Sequence, residues 1–261
     1  MSTWVRFQHN HQTKFGIASD GEITTHEGEM FGSSTATGET VSQNEVTLLT
    51  PCVPTKLLAL WNNFHATSEK TGLPQPGHPW YFVKTPNSYA AANTTIKKPR
   101  ICNGKVLFEG ELGIVIGRPC KDVSVVDAPD FIFGYTCIND VTAFEYLFNE
   151  KAFSHWTRAK CFDGFGVIGP GITTGIEPDT LVIKTFLEGD GQMQERQNYP
   201  VSDMIYSPCE IVSKLSCDMT LNPGDIIACG TSVGAGAMKD GWTVRVSIEG
   251  VGDLVNVYSE T

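Results

Sequence analysis

The sequence predicts a mostly β fold of the α+β class with mixed strand pairing. Two observations carry this prediction. Short apolar runs of strand length, bounded by Gly, Pro, Asn and Asp, recur along all 261 residues. Segments with helical spacing are few and short. A doubly wound α/β fold, in which strands and longer helices alternate, is therefore not expected.

The length and the charge balance limit the domain organisation and the partners. A chain of 261 residues can form one large domain or one domain with a small appendage. We expect a small N-terminal β unit over residues 1–50 and a main domain over residues 51–261. Lys and Arg number 19 against 29 Asp and Glu, a formal charge of −10, which argues against nucleic acid as a partner.

The eight cysteines are spread along the chain without a Cys-x-x-Cys pair or a cluster with histidine. This pattern argues against a zinc ribbon or a redox motif. The first eleven residues lack the apolar core of a signal peptide, and no run approaches the roughly 18 apolar residues of a membrane span. We therefore expect a cytoplasmic protein with reduced thiols and no membrane partner.

The N-terminal unit contains two short strand candidates, residues 4–7 and 15–18, followed by Gly- and Thr-rich turns up to Gly38. After Pro51 and Pro54, residues 57–61 read as a buried strand.

A polar segment with helical character, residues 62–69, follows that strand and contains His65 and Glu69. Residues four apart share one face of a helix, so Glu69 could orient the His65 imidazole for general base catalysis. An ordinary exposed pair is the alternative. Beyond a loop, residues 81–84 resume a strand, and Lys84 either extends its ammonium to solvent or directs it into a site.

The run from Val106 to Ile116 reads as a buried strand that carries two carboxylates, Glu109 and Glu111. Side chains alternate between the faces of a strand, so both point to the same side, roughly 6.5 Å apart. Like charges on one buried face need a proton, a basic partner or a metal ion, and a divalent cation binds carboxylate oxygens readily. A solvated sheet edge is the alternative.

A second strand over residues 130–138 ends at Asn139 and Asp140, and residues 141–150 have helical spacing. Asp140 at this junction is either a helix N-cap or a third ligand beside the two glutamates.

The remaining chain alternates strands with turns. We expect a hairpin around the turn at 189–191, and a capping box at residues 207–210 that opens a helix over 211–215. A strand over 226–229 ends in a Gly-rich loop, residues 230–236, which forms either a carboxylate cradle or a plain tight turn. Strands over 243–249 and 254–258 close the chain.

Several separated motifs together resemble the fumarylacetoacetate hydrolase family in order and spacing, over about residues 51–258. They are Glu-Gly-Glu-Leu-Gly at 109–113, Gly-Tyr-Thr at 134–136 with Asn-Asp at 139–140, Lys-Cys-Phe-Asp at 160–163, Gly-Pro at 169–170, Pro-Gly-Asp at 223–225, and Gly-Thr at 230–231 with Gly234 and Gly236. The resemblance implies a mixed, rolled sheet and a homodimer. It also implies a divalent metal, usually Mg²⁺, for which Mn²⁺ or Ca²⁺ could substitute.

The resemblance also implies roles for particular residues. It assigns the metal to Glu109, Glu111 and Asp140, the catalytic base to His65 with Glu69, and the lysine facing the reacting carbonyl to Lys160. It assigns substrate binding to Lys84 and Thr231. Many members place the glutamate three residues after the histidine, whereas Glu69 stands four after it. The Arg and Gln of the family's motif after the aspartate are replaced by Phe144 and Leu147, which predicts a more apolar pocket.

The reactions implied are those of 2-oxo acids in the catabolism of aromatic compounds. We favour metal-dependent hydrolysis of a C–C bond in an acylpyruvate or related 2,4-dioxo acid, through an enolate that the metal stabilises. In this scheme His65 with Glu69 activates water, and Lys160 stabilises the oxyanion and protonates the leaving enolate. Lys84 and Thr231 hold a carboxylate. Decarboxylation or isomerisation of 2-hydroxydienoates on the same site is the alternative, and a catalytically silent binding protein is a further one.

Overall fold

Strands dominate the computed structural model, which describes residues 1–261. The expected mostly β fold of the α+β class is confirmed. The strands are β1 (Ser2–His9), β2 (Gln12–Ser19), β3 (Glu22–Gly28), β4 (Ser34–Ser42), β5 (Thr47–Leu48), β6 (Leu57–Trp61), β7 (Trp80–Lys84), β8 (Tyr89–Ala90), β9 (Thr95–Lys97), β10 (Val106–Phe108), β11 (Gly110–Ile116), β12 (Ile132–Asp140), β13 (Thr142–Ala143), β14 (Gly166–Thr174), β15 (Val182–Gly189), β16 (Gln192–Pro200), β17 (Ile226–Ala228), β18 (Gly236–Ala237), β19 (Thr243–Ile248) and β20 (Gly252–Ser259). The α-helices are α1 (His65–Thr71), α2 (Phe144–Leu147), α3 (Trp156–Lys160) and α4 (Pro208–Asp218).

The strands form three sheets. The largest has twelve strands, with β4-β3-β2-β1-β14-β12-β11-β17-β6-β7 as its main order and β5 and β8 paired to β1 and β14. A five-stranded sheet has the order β16-β15-β19-β20-β9, and a small sheet joins β13, β10 and β18. Most pairs are antiparallel, whereas β17 with β6, β14 with β8, and β20 with β9 are parallel. The expected mixed pairing is therefore present.

The central strand β11 is buried at every residue because it is covered on both faces. Ile114 packs into the main core with Val246 and Leu254 of the five-stranded sheet. Val115 points to the opposite face and packs with Ile226 in a second apolar cluster. This two-sided burial explains why the strand reads as a continuous apolar run rather than an alternating one.

The N-terminal strands extend the large sheet, because β1 pairs with β14 in the register Ser2 with Thr174. The expected strands over residues 4–7 and 15–18 lie within β1 and β2. The expectation of turns up to Gly38 is wrong, since β3 and most of β4 occupy that stretch. Their sequences are polar and largely exposed, so no alternating apolar pattern marks them. The division at residues 50 and 51 stays a prediction.

The hairpin turn and the helix capping box expected from the sequence are both formed. The hairpin of β15 and β16 turns through Asp190 and Gly191, which both have positive φ angles, as a two-residue type I′ turn requires. The capping box at the start of α4 is formed: Glu210 accepts from the Ser207 amide at 2.8 Å, and the Ser207 hydroxyl accepts from the Glu210 amide.

The helix expected over residues 141–150 is wrong in extent. Thr142 and Ala143 instead form β13, which pairs with β10, and only the single turn α2 is helical. Ala143 precedes α2 as its N-cap and makes no side-chain capping bond. Asp140 ends β12 and does not cap the helix.

Candidate active site

Glu109 lies at a junction between two sheets. The single strand expected over residues 106–116 is divided there, because β10 belongs to the small sheet and β11 to the large one. The Glu109 backbone remains bonded to β12: its amide donates to the side chain of Asn139, and its carbonyl accepts from the amide of Asp140 at 2.9 Å. The break therefore places Glu109 beside Asp140 while Glu111 stays on the central strand.

The structure brings the three carboxylates predicted as metal ligands together. One oxygen each of Glu109, Glu111 and Asp140 lies within 4.8 Å of the other two. Asp140 and Glu111 are fully buried and Glu109 is nearly so. The Glu109 carboxylate also accepts from the Thr142 hydroxyl at 2.5 Å. Three buried acids this close would repel one another strongly without opposite charge nearby.

Lys160 supplies part of that opposite charge. Its ammonium donates to Glu109 Oε2 at 2.7 Å and to Asp140 Oδ2 at 2.6 Å. The side chain is 2% exposed, so this ammonium is buried together with the carboxylates that it contacts. The ring of Phe82 lies 5.3 Å from the same ammonium, a distance at which a cation interacts favourably with an aromatic face.

Lys84 supplies the second positive charge, from behind the carboxylates. Its ammonium donates to Asp140 Oδ1 at 2.5 Å and to the backbone carbonyl of Lys160. The side chain is 0% exposed and does not line the cavity described below. In this conformation Lys84 holds Asp140 and the end of α3, and binding of a substrate carboxylate by Lys84 stays a prediction.

The pKa shifts follow from this arrangement. Burial, together with the charges of Asp140 and Glu109, raises the pKa of Glu111 well above its ordinary value. Burial alone would raise the pKa of Asp140, but the ammonium groups of Lys160 and Lys84 lower it. Burial alone would lower the pKa of Lys160, but Asp140, Glu109 and Glu111 raise it. The two lysines therefore favour ionised Asp140, whereas Glu111 is short of positive charge.

The donor set fits a divalent cation. Three carboxylates and two ammonium groups carry a formal charge of −1 when all five are ionised. Glu111 Oε2 accepts from the Gly230 amide at 2.8 Å, but Glu111 Oε1 is buried without any hydrogen-bond partner. Hard cations such as Mg²⁺ and Mn²⁺ take such carboxylate oxygens. A cation at these residues would satisfy Oε1 and relieve the repulsion that raises the pKa of Glu111.

A cavity of about 360 Å³ opens onto this cluster. Glu109 and Lys160 form its charged inner end. Its other sides are formed by α1, by the loop that follows Thr231, and by apolar side chains, which are Trp61, Leu107, Phe144, Leu147, Phe148 and Trp156. The prediction of an apolar pocket at Phe144 and Leu147 matches the residues that line the cavity. A concave apolar site with a few converging polar groups is typical of a small-molecule pocket.

The Gly-rich loop brings Thr231 to the cavity wall. The Thr231 hydroxyl donates to the Gly110 carbonyl at 3.0 Å and accepts from Gln197 Nε2 at 2.8 Å. Gly234, at a φ of +100°, passes so close to β16 that a Cβ there would lie 2.1 Å from the Arg196 carbonyl. The loop is therefore seated by strand contacts, and binding of a substrate carboxylate by Thr231 stays a prediction.

His65 and Glu69 do not join the cluster. His65 is the first residue of α1, is exposed, and bonds through Nδ1 to Gln75 Nε2 at 3.0 Å. No hydrogen bond or ion pair connects it to Glu69. The face of α1 that lines the cavity carries Thr67, Lys70 and Thr71. The expected His65–Glu69 pair is not formed in this conformation, and their catalytic roles stay predictions.

Sequence reasoning missed two residues that support the site. Gln197 is buried in β16, where its Oε1 accepts from the Gly110 amide at 3.0 Å and its Nε2 holds Thr231. Tyr199, two residues on, donates to the Gly110 carbonyl. Gly110 and Thr231 thus depend on a strand that is distant in sequence. β16 is almost entirely polar in sequence, and nothing local in it indicates a catalytic neighbour.

Comparison with known proteins agrees with this geometry. The family model described as fumarylacetoacetate (FAA) hydrolase, C-terminal, matches residues 56–258, and a model described as Rv2993c-like, N-terminal, matches residues 3–51. Protein Rv2993c of Mycobacterium tuberculosis is 39% identical over 238 residues, which are 90% of this chain and 86% of that protein.

Two solved structures extend the comparison. The 2-hydroxyhepta-2,4-diene-1,7-dioate isomerase of Mycobacterium marinum is 34% identical with a TM-score of 0.89, covering 100% of this chain and 99% of that one. Maleylpyruvate hydrolase of Sphingobium sp. SYK-6, solved with manganese(II) and pyruvate, is 25% identical with a TM-score of 0.77 and full coverage of both chains.

The structure contains no helix with the length and apolar character needed to cross a membrane. The family model covers most of the chain, including the three clustered carboxylates and both buried lysines. The chain therefore belongs to the fumarylacetoacetate hydrolase family.

Proposed function

We propose that the chain is a divalent-cation-dependent hydrolase that cleaves a C–C bond in an acylpyruvate or related 2,4-dioxo acid during the catabolism of aromatic compounds. The observation that carries this proposal is the buried cluster of Glu109, Glu111 and Asp140 at the inner end of an apolar cavity. Family membership and the similarity to a maleylpyruvate hydrolase that binds manganese and pyruvate support an enzyme of this kind.

The reaction consumes one water. The bond between C3 and C4 of the 2,4-dioxo acid breaks, the water oxygen stays on C4 as a carboxylic acid, and a proton is delivered to C3. The products are pyruvate and the acid of the acyl chain. Glu109, Glu111 and Asp140 would hold the cation, which would supply Lewis-acid polarisation of the 2-oxo carbonyl.

The chain's own residues do the remaining work. The Lys160 ammonium stands at the inner end of the cavity, where it stabilises negative charge that develops on the substrate. Thr231, seated by Gln197, is proposed to turn its hydroxyl from the Gly110 carbonyl and donate to the substrate carboxylate. Lys84 keeps Asp140 in place in this conformation, and its ammonium would have to move to bind a substrate carboxylate as proposed for it.

His65 is proposed as the general base that activates water. It is the first residue of α1, which forms one side of the cavity, but it does not line the cavity, so this segment would have to move to bring His65 to the substrate. Glu69, one turn further along α1, is proposed to orient it.

Isomerisation of a 2-hydroxydienoate, or decarboxylation, is the second candidate function. A structure of 34% identity bears the name of an isomerase. Moreover, His65 lies away from the carboxylates, so a water-activating base is not in place in this conformation. The same cluster would stabilise the negative charge of all three reactions.

We also propose that Mg²⁺ is the cation, with Mn²⁺ or Ca²⁺ as substitutes, and that the protein is a cytoplasmic homodimer acting on a small 2-oxo acid. Light scattering of the purified chain measures the dimer directly. A monomer at micromolar concentration would contradict it.

A product assay tests the reaction. The purified chain with Mg²⁺ is incubated with acylpyruvates and with 2-hydroxydienoates, and the products are identified by mass. Pyruvate together with an acid, with ¹⁸O from labelled water in that acid, is the expected result. Release of carbon dioxide would instead show a decarboxylase, and an isomer without change of mass would show an isomerase. No product from any compound, despite cation binding, would favour a silent binding protein.

A further inference from the structure

The outer part of the cavity is a continuous aromatic surface. We name it the aromatic wall and define it by Trp61, Phe144, Phe148 and Trp156, which all line the cavity. The ring centroids of Trp61 and Trp156 are 5.5 Å apart, those of Phe148 and Trp156 6.2 Å, and those of Phe144 and Phe148 6.4 Å. Each ring thus contacts the next, so the wall offers one uninterrupted apolar surface.

Two members of the aromatic wall are unusually exposed. Phe144 is 50% exposed and Phe148 is 56% exposed. Large apolar side chains that meet at the mouth of a pocket and remain open to water mark a ligand-binding surface more often than scattered exposed residues do. A ligand that covers them would remove that apolar surface from water.

The charges of the cavity lie almost entirely at its other end. Glu109 and Lys160 are at the inner end, and Lys70 on α1 is the only charged side chain among the other lining residues. Lys70 is exposed and has no ion-pair partner in the structure. A second carboxylate on the substrate would therefore meet one solvated ammonium and four aromatic rings, and placing a charge against such a surface is unfavourable.

We infer that this site, given the proposed hydrolysis of 2,4-dioxo acids on which the inference rests, selects monocarboxylate substrates whose acyl group ends in an aromatic or bulky apolar substituent. The 2-oxo carboxylate lies at the charged inner end, and the substituent on C4 lies against the aromatic wall. Phe144 and Phe148 are thus specificity-determining residues, and the site discriminates against dicarboxylates of the same length.

The experiment compares kcat/KM of the full chain with Mg²⁺ for two pairs of acids. The first pair is 2,4-dioxo-4-phenylbutanoate and 2,4-dioxopentanoate, which differ by phenyl against methyl. The second is 6-methyl-2,4-dioxoheptanoate and 2,4-dioxohexanedioate, which match in shape but differ in the distal charge. We expect the phenyl and the uncharged compounds to be preferred by roughly tenfold or more, the scale on which apolar pockets discriminate. Equal values within a pair, or a preference for the dicarboxylate, would overturn the inference.

Variants locate the discrimination in the aromatic wall. Phe148→Ala should lower the phenyl-to-methyl ratio of kcat/KM about tenfold, and Phe148→Leu should lower it less. Phe153→Ala is the matched control, because Phe153 is 67% exposed in the same segment but does not line the cavity. An unchanged ratio in Phe148→Ala, with an unchanged unfolding midpoint, contradicts the assignment. If Lys70→Met abolished turnover of the dicarboxylate alone, Lys70 would be the recognition group instead.

Binding measurements distinguish a wrong substrate preference from a wrong reaction. If none of the four acids is cleaved, the proposed hydrolysis is wrong, and Kd values of the same acids, measured by calorimetry with Mn²⁺ present, decide the inference. At least about tenfold tighter binding of the phenyl compound than of the methyl compound supports it. Equal affinities, or no binding of any acid, overturn it.

Discussion

The inner end and the mouth of the cavity differ in how their side chains are held. At the inner end Lys160, and behind it Glu111, Asp140 and Lys84, are 0–2% exposed, and each is bonded to a neighbour or to the backbone. At the mouth Phe144 and Phe148 are half exposed, and His65, which begins α1 outside the cavity lining, makes one bond, to Gln75. Folding alone thus holds the charged side chains in place, whereas the side chains at the mouth have few contacts that fix them. The rigid inner end is suited to a reaction step that many substrates share. The mouth is suited to discriminating among substrates.

The largest expected effect tests the inner end. Asp140→Asn and Glu109→Gln should each abolish turnover and weaken Mn²⁺ binding by more than about 100-fold, because loss of a direct ligand should exceed the ~10–100-fold loss seen for outer partners. Calorimetry measures the affinity, and Mg²⁺ should raise the unfolding midpoint of the native chain but not of the variants. Glu150→Gln, which alters an exposed acid, is the control. Normal turnover by a variant shown to be free of metal would refute the metal site.

The second effect tests whether His65, at the start of α1, contributes to the chemistry. His65→Ala should reduce kcat by roughly 10²- to 10⁴-fold, the usual contribution of a general base. Metal affinity should stay unchanged, because His65 contacts none of the carboxylates. His78→Ala is the control, since His78 is also exposed and pairs only with Asp218. An unchanged kcat would remove His65 from the mechanism.

The third effect tests whether Lys84 stabilises the buried ion-pair network through Asp140. Lys84→Met removes one partner of a buried ion pair and leaves Asp140 with less positive charge nearby. Such a loss destabilises a fold by about 3–5 kcal/mol, which denaturant unfolding measures. Lys84→Arg should lose less because it keeps the charge. Lys14→Met breaks a partly exposed pair with Glu39 and should leave the midpoint nearly unchanged. A stable Lys84→Met variant with a higher KM alone would instead support Lys84 as a substrate-binding residue.

The smallest effect concerns Glu69. Glu69→Gln should lower kcat by less than about fivefold, because a pair with His65 on an exposed helix face would orient the imidazole only weakly. Steady-state kinetics beside His65→Ala gives the comparison. A loss as large as that of His65→Ala would show that the two side chains act together when substrate binds, and the mouth would then be part of the catalytic machinery.

Most of the main strands, and the residues that cluster, could be predicted from the sequence because their signals are local. Buried apolar runs mark β6, β11 and β17, and an acid inside such a run is rare enough to indicate a site. The polar strands β3 and β4 escaped detection because exposed strands carry no apolar alternation. The helix expected after Asp140 failed because pairing of Thr142 with Leu107 overrode helical spacing.

The sequence by itself determined the fold class, the family and which three acids cluster. Alternation along a strand and the order of motifs along the chain can be read without knowing which residues are in contact. Only the tertiary structure decided which lysine contacts the cavity and which lies behind it, since the two donate to opposite oxygens of Asp140. It also decided that Gln197 seats Thr231 and that four aromatic rings from three separate segments form one wall. Such contacts join residues distant along the chain, and burial around each charge exists only once the sheets have packed.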